Sequence, residues 1–197
     1  MSQHDFAIRV PPRSTEKIRE AALAFRRNLD IDAAWFPLIE VIEHVLPRVF
    51  DDFTLDILTE REMRDIYGAG TAAMTTPATK RIELREDVYD QLHLNEGRAR
   101  FTVAHELGHL FLHQSGGLAR TQRAPPMKIY ESAEWQADMF AAELLIPLQH
   151  AEQCVNVDQV MKVFGVSRQA AEIRWKSIAP IRAQRMDSPG GSPGVHG

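Results

Sequence analysis

Residues 101–113 read FTVAHELGHLFLH. Phe101, Ala104, Leu107, Leu110 and Phe111 recur at helical spacing, so the stretch is a largely buried helix. Inside it, His105-Glu106-Leu107-Gly108-His109 forms H-E-x-x-H. Residues four apart lie one above the other on a helix, so the two imidazoles can each give a nitrogen to one Zn²⁺ at about 2.0–2.1 Å. Glu106 can then lean over the open side and take a proton from water. Two histidines and a carboxylate on so apolar a helix are costly to bury without a shared partner. A metal helix is therefore the expectation, with Asn95 as its N-cap.

A catalytic zinc takes three protein ligands. Downstream, residues 131–147 read ESAEWQADMFAAELLIP, a second helix capped by Ser132 and ended by Pro147. Glu134 and Asp138 share a face: the first can bind the ion while the second accepts the free N–H of a ligand histidine. The rival donors are weaker. His113 lies eight residues beyond His105, about 12 Å along the axis at 1.5 Å per residue. Glu131 and Glu143 read as solvated. The metzincin spacing fails, because Leu112 and Ser115 stand where it needs Gly and His. Glu134 is the expected third ligand.

With both motifs in view, the chain resembles the ImmA/IrrE family of zinc metallopeptidases. The resemblance rests on residues 100–113, RFTVAHELGHLFLH, and 134–147, EWQADMFAAELLIP, and extends over about residues 14–180. It implies a mostly helical, zincin-like α+β domain. His105, His109 and Glu134 would be ligands, Glu106 the general base and Asp138 the support of a histidine, in a gluzincin-like scheme. Characterised relatives cleave helix-turn-helix repressors encoded beside them, releasing mobile-element or stress-response genes; others lie near toxin–antitoxin or phage genes. The stretch 59–79 departs from the pattern as a possible insertion beside the substrate groove.

Upstream, Pro11-Pro12 keeps residues 1–13 extended, and Ser14 caps a helix with Ile18, Ala21, Ala22, Phe25 and Leu29 on one face. Pro37 opens a second helix that should stop before Pro47. Phe53, Leu55 and Ile57 alternate as a strand, residues 80–85 form another, and residues 86–94 make a helical turn. A small antiparallel sheet leaning on the metal helix completes the expected α+β fold. Residues 114–128 are a loop beside the metal, and 183–197 a disordered tail. The expected division is thus a metallopeptidase domain at 1–153, helix-turn-helix-like helices at 154–182 and the tail.

The 197 residues carry a net charge of −4, one cysteine (Cys154) and 44% hydrophobic residues, as suits a single domain in a reducing compartment. Neither a membrane-length apolar run nor a signal h-region occurs, so the expected location is cytoplasmic. Residues 155–185 hold six Lys/Arg against two Asp/Glu. There Gly165 permits a turn and Ser167 caps a second helix, from which Arg168, Gln169 and Arg174 could reach a DNA groove. Packing of Val160, Phe164, Ala171, Ile173 and Trp175 against the body is favoured over nucleic-acid binding. The leading function is a zinc endopeptidase acting on a repressor-like protein, with Mn²⁺ as a possible substitute ion. Tyr130 and His113 are candidate donors to the oxyanion. The alternatives are a helix-turn-helix DNA-binding regulator and an antitoxin-like partner-binding protein with a structural metal site.

Overall fold

A computed structural model describes residues 8–114 and 127–186, with the side chains of 182–186 left out. Helix α1 (Thr15–Asn28) begins where the Ser14 hydroxyl accepts the Lys17 N–H. Helix α2 is continuous from Leu38–Glu40 through a π turn, Val41–Val45, into Leu46–Val49. The expected stop before Pro47 does not occur. Leu46 N–H reaches back five residues to the Val41 carbonyl, and this wider turn takes the chain past a proline that has no N–H of its own to place.

The sheet is three-stranded, in the order β1 (Thr54–Leu58), β3 (Arg81–Arg85), β2 (Ala73–Thr76). It is mixed, not antiparallel: β1 runs parallel to β3, with Leu55 opposite Ile82, while β2 is antiparallel, with Thr75 opposite Ile82. The parallel pairing is possible because α3 (Glu60–Tyr67) and β2 form the crossover. Residues 59–79 are therefore integral to the sheet. Thr59 and Glu62 cap α3 reciprocally, and Tyr67 donates to Glu83 on β3. After β3 come α4 (Glu86–His93) and the long α5 (Gly97–Leu112). Asn95 does not cap α5: it lies in the left-handed region, φ 58°, closing α4, and Glu96 takes the cap position.

Helix α6 (Ala133–Leu145) packs along α5, with the Ser132 hydroxyl accepting the Trp135 N–H. The N-terminal segment is extended, as its prolines require, and binds here: Val10 N–H donates to Glu131 and Ala133 N–H to Ile8. Short α7 (Leu148–Ala151) leads to α8 (Val157–Phe164) and α9 (Arg168–Met186). Helix α9 continues through Pro180 and past residue 182, where Ala183, Gln184, Arg185 and Met186 are good helix formers. The remainder of the expected tail, with His196, and most of the 114–128 loop lie outside the described residues.

One core runs through all of this. Val160, Phe164, Ala171 and Ile178 are buried in the same cluster as Val103, Leu107 and Phe140. Ile173, expected to pack, is 62% exposed. Gly165 turns between α8 and α9 at φ +59°, with the Trp35 ring 2.3 Å from where a Cβ would sit. The Arg100 guanidinium stacks 3.8 Å over that ring and donates to the Phe36 carbonyl. Arg174, proposed above to reach DNA, is buried instead, donating to Glu143 at 3.1 Å and to the Ala142 carbonyl. Glu143, read from sequence as solvated, is 1% exposed and shared by Arg19 and Arg174. A buried carboxylate needs such partners, and sequence periodicity does not announce them. Among the described residues no helix is long and apolar enough to cross a membrane.

Candidate metal centre

The crossing of α5 and α6 is close because Gly108 has no side chain. A Cβ there would lie 2.8 Å from Ala137 Cα and 3.0 Å from the Ala137 carbonyl oxygen. Glycine inside a helix costs roughly 1 kcal/mol against alanine, and the return is backbone approach between the two motif helices. His105 and His109, one turn apart on α5, thereby face Glu134 in the first turn of α6.

Their ligand atoms converge. His105 Nε2 lies 3.0 Å from His109 Nε2 and 3.2 Å from Glu134 Oε2, and His109 Nε2 lies 3.5 Å from Glu134 Oε1. Three donors placed tetrahedrally on arms of about 2.1 Å stand roughly 3.4 Å apart, so the set fits one ion. Among the described residues it is the only group of His, Cys, Asp and Glu with this convergence.

The electrostatics call for a cation. His105 Nδ1 is 2.8 Å from Asp138 Oδ1, so Nδ1 carries the hydrogen and Nε2 is free to bind. Burial alone would lower the His105 pKa, but hydrogen bonds to Asp138 and Glu134 outweigh it and raise it to about 10. Hydrogen bonds from His105, then His109, hold the Glu134 carboxyl well below the usual carboxylate range. Without an ion, a proton is trapped where positive charge is wanted.

His113 joins this constellation in an unexpected role. Its Nδ1 is 3.2 Å from His109 Nδ1 and its Nε2 is 3.3 Å from Gln136 Oε1. Burial, then the neighbouring His109, push its pKa down to about 4. Both ring nitrogens of His113, expected as a donor to the oxyanion, are thus in contact with neighbouring side chains. Tyr130, the other candidate donor, is 38% exposed; its ring lies by the Lys128 ammonium, and its carbonyl accepts from Gln136. Sequence reasoning missed Gln136 altogether. Its full burial is the telling signal, and amphipathic patterning gives no hint of it.

Glu106 is buried, three residues before His109 and so its neighbour on the helix surface, and its charge acts on the His105 ring. The Thr75 hydroxyl of β2 donates to the Glu106 carbonyl at 3.2 Å, holding the sheet edge against the motif.

The model of the IrrE N-terminal-like domain, a peptidase family, matches residues 71–176. The chain belongs to this family. The matched span runs from the residues before β2 through both motif helices and into α9, so the site, α8 and the first part of α9 fall within the IrrE N-terminal-like region. No curated protein matches the chain significantly. Family membership supports a metallopeptidase-type function, and His105, His109 and Glu134 are a donor set to match.

Proposed function

We propose that the chain is a zinc-dependent endopeptidase whose ion is held by His105, His109 and Glu134, and whose substrate is a helix-turn-helix repressor or a similar regulatory protein. One observation carries the first part. Three lone-pair atoms meet at 3.0–3.5 Å while Asp138 occupies the other nitrogen of His105. Without a metal ion a proton has to be shared among these atoms, and a metal cation would take its place. Zinc suits two imidazoles and a carboxylate, and Mn²⁺ is the alternative that such ligands also serve.

An ion held by His105, His109 and Glu134 would supply Lewis acidity, polarising a carbonyl and lowering the pKa of water towards about 7. Glu106 accepts the proton of the attacking water as its oxygen bonds to the scissile carbon. It then delivers that proton to the amide nitrogen as the C–N bond breaks, so one carboxylate serves as base and acid. Asp138 keeps the His105 ring in one orientation throughout. Among the described residues, β2 has a strand partner only on its β3 side. Its other edge offers backbone groups on which an extended peptide can lie beside Glu106.

The substrate class follows the similarity to ImmA/IrrE proteins, and a cytoplasmic location goes with it. The DNA-binding alternative gains no support from the C-terminal helices, where Arg174 is committed to Glu143 and Arg168 lies 2.6 Å from Asp158. The test is to incubate zinc-loaded protein with a repressor encoded beside its gene and map fragments by mass. One internal cut, absent with Glu106→Gln, is expected; an intact repressor under all metal conditions would rule out this substrate.

A further inference from the structure

Asp138 sets the tautomer of His105, whereas the second nitrogen of His109 meets His113 and, among the described residues, no carboxylate. What it has is a chain of groups whose polarity can be read from its far end. Gln136 Nε2 lies 2.9 Å from the Pro11 carbonyl and 2.8 Å from the Tyr130 carbonyl. Both are acceptors, so the amide orientation is fixed with its NH₂ towards them and Oε1 towards His113. Oε1 can only accept, so His113 must donate from Nε2 across the 3.3 Å contact. With His109 binding through Nε2, its Nδ1 carries the hydrogen and donates across the 3.2 Å contact, and His113, holding its own hydrogen at Nε2, accepts it at Nδ1. That leaves the His109 Nε2 lone pair aimed at His105 and Glu134.

We propose that Gln136, anchored by the Pro11 and Tyr130 carbonyls and acting through His113, is a positioning residue that fixes which nitrogen of His109 is free to bind the ion. The inference rests on the reading of His109 as a ligand. It gives the extended N-terminal segment a part in the site, since Pro11 supplies one of the two acceptors that orient the amide. It also accounts for a fully buried glutamine on α6 whose oxygen and nitrogen both find partners. Ligand and supports then come from one short run of α6: Glu134 binds, Gln136 sets His109 through His113, and Asp138 sets His105.

The test uses full-length protein and three measurements. Nitrogen-15 NMR of the imidazoles in zinc-loaded protein should show His113 protonated at Nε2 and bare at Nδ1; protonation at Nδ1 overturns the relay. Zinc affinity from chelator competition should fall 10–100-fold in His113→Phe. His113→Gln can still donate to one side and accept from the other, and should recover most of that loss. Equal affinities for the two variants, whether both intact or both weakened, make His113 a packing residue and overturn the proposal. Should His113→Phe fail to fold, the NMR result on the natural chain decides alone. A natural chain that binds no zinc defeats the metal reading itself, whereas tight binding with the wrong His113 tautomer defeats the relay and leaves the metal site standing.

Discussion

Arg174 and Glu143 form a two-point ion pair, 3.1 and 3.0 Å, between α9 and α6, with the arginine 6% and the glutamate 1% exposed. Arg19 of α1 shares the same carboxylate at 3.2 Å. The C-terminal helices are thus tied by buried charge to the helix that carries Glu134. Removing one member of such a pair strands the other, at about 3–5 kcal/mol. Because Arg19 remains, Arg174→Leu should cost about 3 kcal/mol, a fall in Tm of roughly 6–12 °C for a domain this size. Calorimetry checks this; an unchanged Tm would mean the pair contributes nothing net.

Glu106→Gln keeps the shape of the side chain and removes its ability to accept a proton. Zinc content should be unchanged, while peptide cleavage drops about 10²–10⁴-fold. A variant that binds zinc and still cleaves at the natural rate would place the base elsewhere.

Asp138→Ala frees the His105 ring by taking away its 2.8 Å partner. Loss of such a support typically weakens metal binding 10–100-fold, measurable by chelator competition. The side chain is 58% exposed, so folding stability of the metal-free protein should move little. A large loss of stability with intact zinc affinity would reverse the assignment.

Gly108→Ala puts a methyl against the Ala137 backbone, which cannot turn aside as a side chain could. Overpacking of this kind costs about 1–3 kcal/mol. It should also widen the gap between the imidazoles and Glu134, so zinc affinity and Tm should fall together. Retention of both would mean that the close helix crossing is not needed.

What could be read from the sequence was local. The metal helix declared itself by helical spacing around two histidines, and α6 by Ser132, Glu134, Asp138 and Pro147. Helix α3 escaped because it is short and its apolar stripe is only Met63, Ile66 and Tyr67, of which Met63 alone is buried; the Thr59/Glu62 capping box was the further clue. Strand direction was not legible either, since alternation in β1 is the same whichever way its partner runs. The buried polar groups were hardest. Gln136, Glu143 and Arg174 look like surface residues until partners far along the chain, Pro11, Arg19 and one another, are brought to them by packing. The path past Pro47 depended on a five-residue backbone bond that no side-chain pattern encodes.

The central claim is that α5 gives two imidazoles and α6 one carboxylate to the same ion. Elemental analysis of zinc retained per chain after desalting, for the natural protein beside His105→Ala, His109→Ala and Glu134→Ala, tests it most directly. One zinc per natural chain and near-complete loss in each variant is the predicted result. Full retention of zinc by Glu134→Ala, or no zinc on the natural chain, would contradict it.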